Sequence, residues 1–289
     1  MHVADTAALA WWIWPIALFL ATFALGIVAV LSGVGGGVLF VPIVGSFFPF
    51  HLDFVRGTGL LLALAGALSA APSLLSSGLA SLRLAMPFAL VGSVASIAGA
   101  LLGLALPAAL IQTALGVTIL AIAALMWRSK RSVYPEVAAP DRLASMLGLR
   151  GTFYDRASGR EVTWQTHRTP AGLLLFSGIG LLAGMFGLGA GWANVPVLNL
   201  VLGAPLKVAV ATSGVVLSVV DTSAAWIYLQ GGAVLPLIAV PSIVGVMLGA
   251  KIGARLLHVA PAAAVRRLVI VLLLVAGVRS LLKGTGLWN

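Results

Sequence analysis

Long apolar runs separated by short polar connections dominate the chain. A transmembrane helix requires about 20 mostly apolar residues, and eight runs are long enough for a full or partial crossing: 13–31, 57–77, 84–104, 108–127, 171–185, 208–229, 233–257 and 262–282. Two further apolar stretches, 38–48 and 192–202, directly follow glycine clusters and are too short to cross a bilayer alone. The pattern predicts an all-α integral membrane protein with eight to ten membrane segments, in which the two short stretches form half-helices.

The two halves of the chain repeat each other. A constant shift of 154 residues, the separation of Gly33 from Gly187, superimposes them without a gap and pairs residues of the same type: Gly35 with Gly189, Gly37 with Gly191, Pro42 with Pro196, Thr58 with Thr212, Ser69 with Ser223, Gly78 with Gly232, Pro87 with Pro241, Gly99 with Gly253 and Pro107 with Pro261. Internal repeats of this kind build many secondary transporters. The sequence thus predicts a membrane repeat over 1–128, a connector over 129–169 and a second membrane repeat over 170–289.

The basic residues predict how the repeats are oriented. Eight of the 17 lysines and arginines lie between Arg128 and Arg168, which is typical of a cytoplasmic loop. The turn at 257–261 is flanked by basic residues and is also predicted to be cytoplasmic, whereas its repeat equivalent at 104–107 carries no charge and is predicted to lie outside. Equivalent turns then face opposite sides, which means that the repeats are inverted.

This inverted arrangement requires that the segment 171–202 enters the membrane from the cytoplasm, breaks at its glycines and returns to the cytoplasm. A parallel four-plus-four bundle is the competing arrangement, since the inverted one leaves three basic residues outside against the positive-inside rule, namely Arg56, Arg279 and Lys283.

Composition agrees with a membrane protein. Hydrophobic residues make up 61% of the chain and charged residues only 8%, against roughly 25% charged residues in a soluble domain. Because eight of the 17 lysines and arginines lie in one connection between apolar runs, the net charge of +10 does not indicate nucleic acid, and the predicted partner is the lipid bilayer. The lack of cysteine excludes disulfides and thiolate chemistry. Within the connector, Thr152–Trp164 is predicted to form a small β-hairpin, and a solvated linker is favoured over a regulatory flap.

Each glycine cluster predicts a break near the middle of the membrane. The clusters lie in Ser32–Pro42 and Gly184–Pro196, and each glycine weakens a helix by about 1 kcal/mol. Unwound backbone in a membrane requires neighbouring protein or a wet cavity, and a half-helix that restarts there directs free N–H groups and its positive dipole end into that cavity. This favours an oxyanion site over tight helix packing alone. The predicted binding residues are Gly33, Gly35, Gly36, Gly37, Val38, Gly187, Gly189, Ala190, Gly191 and Trp192.

The paired G-x-G-x-G-x4-P segments, together with Ala211-Thr-Ser213 and the Tyr154–Gly159 hairpin, resemble the TauE/SafE family of sulfite and organosulfonate exporters. The resemblance covers nearly the whole chain. It implies an anion permease, multi-pass in the plasma (inner) membrane of a bacterium or archaeon, and it adds the hydroxyl side chains of Thr58, Thr212 and Ser213 to the predicted site. The chain departs from the pattern at Ala190, between two glycines, and at Arg56-Gly-Thr-Gly, which replaces Ala-x-Thr-Ser, so the ligand stays open.

Three ionisable residues complete the candidate chemistry. Asp221 lies near the centre of the run 208–229, where a carboxyl is a functional candidate because burial costs several kcal/mol unless the group is paired or wet. Proton coupling is the favoured role, since a proton on Asp221 would offset the repulsion of a bound anion; a packing carboxyl is the alternative. Arg56 and Lys207 follow the two half-helices and would draw anions toward opposite mouths, unless they merely snorkel to the interface.

The sequence contains no clear catalytic pattern. His51, His167 and His258 do not cluster, and no metal-ligand spacing, nucleophile elbow or phosphate loop is present. The predicted protein is therefore not an enzyme and needs no metal or cofactor. The leading interpretation is a secondary carrier of a small anion with alternating access around the glycine breaks. A passive anion channel is the nearest rival, and a membrane-embedded enzyme or an assembly subunit is further off. Oligomeric state is left open.

Overall fold

The computed structural model describes residues 12–32, 36–76, 78–128, 135, 137, 139–155, 159–256 and 262–287. Within these residues the chain is all-α apart from one hairpin, and six helices are long and apolar enough to cross a membrane. The protein is therefore a multi-pass membrane protein. Gly33, Gly35 and the turn 257–261 lie outside the described residues.

The first half contains α1 (Ile13–Ser32), α2 (Gly36–Phe47), α3 (Leu52–Ser76), α4 (Leu82–Ala105) and α5 (Ala108–Arg128). The connector contains α6 (Arg142–Leu147), β1 (Arg150–Asp155) and β2 (Arg160–Gln165). The second half contains α7 (Thr169–Phe186), α8 (Gly191–Pro196) with a π-helical turn over Val197–Val201, α9 (Leu206–Gln230), α10 (Pro236–Leu256) and α11 (Ala262–Gly284). The shift of 154 residues carries the starts of α3, α4 and α5 onto the starts of α9, α10 and α11.

The two halves exchange helices. Helix α4 packs along α7, and its counterpart α10 packs along α1, the counterpart of α7. Small residues make both contacts close: a Cβ on Gly180 would collide with the Gly92 carbonyl, and a Cβ on Gly249 with the Phe23 carbonyl. Where helices associate in lipid, small residues allow backbones to approach and gain van der Waals contact. The halves are thus interlocked rather than laid side by side.

Counterpart helices that touch each other run in opposite directions. Along α5 and α11, Thr113 lies against Gly284, Gln112 donates a hydrogen bond to Ser280 at 3.0 Å, and Leu120 lies against Gly277. Residue numbers therefore fall along α11 as they rise along α5. Helices α3 and α9 behave in the same way, because the start of α3 packs on the end of α9.

Each half also contains a long helix followed by a short one that runs back along it, α1 with α2 and α7 with α8 and its π-helical turn. The His167 N–H donates to the Leu202 carbonyl at 3.0 Å, which brings the end of the π-helical turn back beside the start of α7. In the first half the Trp14 ring lies 6.0 Å from Phe48 and 5.6 Å from Phe50, beyond the end of α2. In both halves the short helix therefore ends beside the start of the long helix that precedes it.

The connector docks on the membrane helices. Its two strands are antiparallel, with Phe153 opposite Val162, and Phe153 packs into the cluster that holds Phe88 and Phe176. At the other end of the connector, Asp141 accepts hydrogen bonds from the Thr169 N–H at 3.2 Å and the Thr169 hydroxyl at 2.8 Å. One face of the hairpin therefore lies on the membrane helices, because its apolar side chains need a covered surface.

Candidate functional site

The second glycine break depends on backbone conformations that favour glycine. Gly187 ends α7 with a φ of 69°, and Gly189 has a φ of 72°. A Cβ on Gly189 would lie 2.7 Å from the Ala63 Cβ and 2.9 Å from Oδ2 of Asp221. Only glycine combines the left-handed conformation with such close neighbours. The chain then resumes as a half-helix at Gly191, as the sequence predicts.

The start of α2, which follows the first glycine cluster, lies against the second break. Helix α2 begins at Gly36, and a Cβ on Gly37 would lie 2.7 Å from the Leu188 carbonyl and 2.8 Å from the Gly59 carbonyl. Val38 follows as a buried residue. The structure thus brings together the two glycine segments that the sequence places 154 residues apart.

Asp221 faces this junction. The residue is fully buried, and its carboxyl lies against Gly189 and opposite the backbone N–H of Ala190. Neither carboxyl oxygen completes a hydrogen bond to another described residue. A buried polar group without a partner costs about 1–3 kcal/mol, so its position at the break requires a reason other than stability.

Two further polar groups near the start of the second half-helix also lack partners among the described residues. They are the indole Nε1 of Trp192 and both polar atoms of the Asn194 side chain, which is fully buried. Trp192 is a predicted site residue, whereas Asn194 is not. The signal that would have selected it is an amide side chain inside an otherwise apolar half-helix.

The predicted hydroxyl residues divide. Thr58 is fully buried, and its hydroxyl has no partner among the described residues; it precedes Gly59, which packs on Gly187. Thr212 is instead engaged at the start of α4, where it accepts a hydrogen bond from the Ser81 N–H at 3.1 Å. Ser213 is buried beside it. Nine residues separate Thr212 from Asp221, which corresponds to about 14 Å along a helix. Of the two threonines, Thr58 therefore lies nearer to the junction, since its neighbour Gly59 packs on Gly187.

Arg56 is buried and anchors neighbouring helices, so it does not lie at an open mouth that attracts anions. It is only 1% exposed, and its guanidinium donates to the carbonyls of Gly103 and Met185 and pairs with Asp53. The guanidinium also lies 5.6 Å from the centre of the Tyr228 ring, whose hydroxyl donates to the Gly184 carbonyl at 3.0 Å. Together they hold the last turn of α7, directly before the second break.

Basic residues at the other predicted exceptions to the positive-inside rule are engaged in the same way. The Arg279 Nε donates to the Ser46 carbonyl at 2.9 Å, and the Lys283 Nζ donates to the Gly45 carbonyl at 3.0 Å. Cations at the end of a helix stabilise its unpaired carbonyls and its negative dipole end. These charges therefore serve α2 and do not report the side of the membrane. Lys207 is exposed at the start of α9.

The described residues contain no group of three or more metal-ligating side chains. Asp221 supplies one carboxyl beside the second break, and the half-helix that follows carries an indole N–H and an amide in an apolar setting. Such groups can bind a small polar ligand by hydrogen bonds, with the carboxyl available to gain or lose a proton.

Known families include one that matches this chain. The model of the family described as sulfite exporter TauE/SafE matches residues 18–280. That range includes both glycine breaks, the connector and Asp221. No curated protein and no solved structure matches the chain.

Proposed function

The chain belongs to the sulfite exporter TauE/SafE family, and on this premise we propose that it is a secondary transporter, in the direction of export, of a small sulfur-containing oxyanion such as sulfite or an organosulfonate. The observation that carries the proposal is the set of buried polar groups that lack described partners at Asp221, beside the second break, and at Trp192 and Asn194 on the half-helix that follows it. Buried polar groups in folded proteins are nearly always hydrogen-bonded. A polar ligand that visits this place would satisfy them.

The chemistry of the junction suits an oxyanion. The Trp192 indole and the Asn194 amide supply N–H donors, and the half-helices that begin at Gly36 and Gly191 present free backbone N–H groups and the positive ends of their dipoles. The glycines allow a ligand to approach the backbone closely. Sulfite and sulfonates carry oxygen acceptors that such donors bind.

Inverted repeats would give this site access to both sides of the membrane in turn. The antiparallel contact of the counterpart helices α5 and α11 supports a two-fold relation with its axis in the membrane plane, because an axis along the membrane normal would make counterparts parallel. The exchange of partners between α4 and α10 agrees with that symmetry. We therefore favour two inverted repeats over the parallel bundle.

Asp221 is the proposed coupling residue. A bound anion and an ionised carboxyl in a poorly screened site repel each other strongly, so anion and proton should bind together. The repeat counterpart of Asp221 is Ala67, which assigns this role to the second half alone. A passive channel remains the second candidate function, and it would not need a titratable group beside the anion.

The proposed setting is the inner membrane of a prokaryote, with the connector in the cytoplasm. The engagement of Arg56, Arg279 and Lys283 by carbonyls removes the main objection to this orientation, since their places are explained by helix ends. The exposed basic residues Arg83, Lys207 and Lys251 lie on segments assigned to the cytoplasmic side.

Sulfite flux into liposomes that contain the purified protein tests the transport function. Variants of two buried amides, Asn194 and Gln112, then separate an effect on transport from an effect on stability. Asn194→Leu removes an amide without partners, so sulfite flux should fall by about tenfold or more while the thermal unfolding midpoint holds or rises. Gln112→Leu removes an amide that is bonded to Ser280, so the midpoint should fall while flux per folded protein persists. Equal flux from the parent and Asn194→Leu would remove this junction from the transport path.

A further inference from the structure

A polar cavity lies where the connector meets the membrane helices, apart from the glycine junction. It has a volume of about 650 Å³ and lies between the hairpin strands, the start of α4 and the turn before α9; its walls include Arg83, Arg150, Thr152, Thr163, Trp164 and Gly203. Sites for small organic ligands typically have volumes of about 300–1,000 Å³. A cavity of this size exceeds what water or one inorganic ion requires.

Two arginines share one wall of this cavity. The Arg83 side chain crosses the turn at Gly148, where a Cβ would lie 3.5 Å from Arg83 Cδ and 3.6 Å from Nη1. Arg150 follows two residues later at the start of β1, and its N–H donates to the Gly148 carbonyl at 2.8 Å. The fold thus places one arginine of the membrane helices and one arginine of the connector in the lining of the same cavity.

Neither guanidinium has a partner in the described part of the chain, since neither donates a hydrogen bond nor pairs with a carboxylate there. This contrasts with Arg56 and Arg279, whose guanidinium groups are bound to backbone carbonyls. Arginine forks bind phosphate in two-pronged fashion, with charge-assisted hydrogen bonds. The two free forks are therefore available to an anion from outside the chain.

Acidic side chains do not neutralise this wall within the described residues. None lines the cavity. Asp141 is bound to Thr169. Glu161 is exposed and pairs with Tyr154, one residue pair beyond Val162, which lines the cavity. The polar row of Arg150, Thr152, Thr163 and Gln165 shares one strand face and supplies additional hydrogen-bonding groups.

We propose that this cavity binds a phosphate-bearing anion, either a soluble nucleotide-sized molecule or the headgroup of an anionic lipid, through Arg83 and Arg150. Because one arginine belongs to the membrane helices and the other to the hairpin, the ligand would bridge the two and hold the connector in place. The cavity also borders the turn at Gly203, which joins the second half-helix to α9. Occupancy would thereby reach the segment that leads away from the glycine junction.

Binding to the purified full-length protein tests this proposal without any measurement of flux. The soluble probes are ATP and inorganic phosphate, titrated by calorimetry in detergent at low salt. The lipid probe is phosphatidylglycerol, measured as lipid retained by native mass spectrometry. The variants are Arg83→Gln and Arg150→Gln, with Arg142→Gln as the control, since Arg142 is an exposed arginine of the connector that does not line the cavity.

We expect either Arg83→Gln or Arg150→Gln to weaken binding by about tenfold or more, while Arg142→Gln stays within about twofold of the parent. ATP binding with this dependence would identify a soluble ligand, and phosphatidylglycerol retention with this dependence would identify a lipid. If no probe bound, or if all three arginine variants bound equally, the cavity would hold no such site. Sulfite flux would be unaffected by that result, so the proposal fails separately from the transport function.

Discussion

Arg56 donates a hydrogen bond of 2.9 Å to the carbonyl of Met185, which joins the start of α3 to the last turn of α7. The same guanidinium binds the Gly103 carbonyl at the end of α4. The repeat counterpart of Arg56 is Val210, so this anchor exists in only one half. The anchor therefore joins the start of α3 to the ends of α4 and α7 and has no equivalent arginine in the second half.

Replacing Arg56 should lower the free energy of unfolding, because the residue is a buried anchor and not an exposed charge that attracts anions. Arg56→Leu leaves the Met185 and Gly103 carbonyls and the Asp53 carboxylate without their donor, which we expect to cost about 2–4 kcal/mol. The thermal unfolding midpoint in detergent measures this loss. Lys251→Gln, at an exposed position, should change stability by no more than about 0.5 kcal/mol. An unchanged midpoint in Arg56→Leu would contradict the anchor.

Adjacent glycines at the first break should respond differently to alanine. A Cβ on Gly37 would lie 2.7 Å from one backbone carbonyl and 2.8 Å from another, whereas a Cβ on Gly36 would meet only a Val246 methyl at 3.1 Å. Gly37→Ala should therefore lower the yield of monodisperse protein and the unfolding midpoint, because backbone cannot move aside as a methyl can. Gly36→Ala should fold. The larger Gly36→Val, and likewise Gly191→Val in the second half, should fold and lose anion binding; binding retained by both would make these glycines packing devices.

Asp221 should make anion binding depend on pH. The parent protein should bind an organosulfonate less tightly as pH rises and the carboxyl loses its proton, since the ionised form repels the anion. Asp221→Asn, permanently neutral, should bind with little pH dependence, and it should exchange anion for anion without driving net transport. A sulfonate is the suitable probe because its own charge is constant between about pH 5 and 8. Identical pH profiles for parent and variant would favour the passive channel.

Docking of the connector should weaken in acid. Burial raises the pKa of Asp141, but hydrogen bonds from the Thr169 hydroxyl and N–H outweigh it and leave the pKa below its usual value. A lowered folded-state pKa means that the stabilisation is fully present above the unfolded-state pKa, near 3.8, and is lost as pH falls through the folded-state value. Hydrogen exchange in α6 should thus rise below about pH 4 after correction for intrinsic rates. Asp141→Asn should show raised exchange already at neutral pH and little further change in acid.

Membrane sidedness tests the inverted repeats. The chain has no cysteine, so single cysteines can be placed without a background: Leu106→Cys in the turn after α4 and His258→Cys in the equivalent turn of the second half. An impermeant maleimide should label them from opposite sides, with Thr163→Cys in the hairpin labelled from the same side as His258→Cys. Labelling of both turns from one side would establish the parallel bundle instead.

The spans and the glycine breaks depend on residues that are near each other in the chain, and the repeat depends on residue identities, so the sequence alone predicts them. Apolar runs of membrane length predict the spans, and six of them are confirmed as helices long enough to cross. Glycines at 187 and 189 mark a place where the backbone takes positive φ, which a side chain would oppose. The shift of 154 residues follows from residue identities alone, and helix starts obey it.

Only the tertiary structure decided which groups meet. The exposed role expected for Arg56 gives way to a buried one because its acceptors, Gly103 and Met185, lie 47 and 129 residues away, and no local pattern indicates such acceptors. The amide of Asn194 stands out only once burial and the absence of described partners are known. Sequence determined where the chain can break and where it must be apolar, since those follow from each residue's own conformational and solvation preferences; three-dimensional packing determined which breaks, charges and carbonyls face one another.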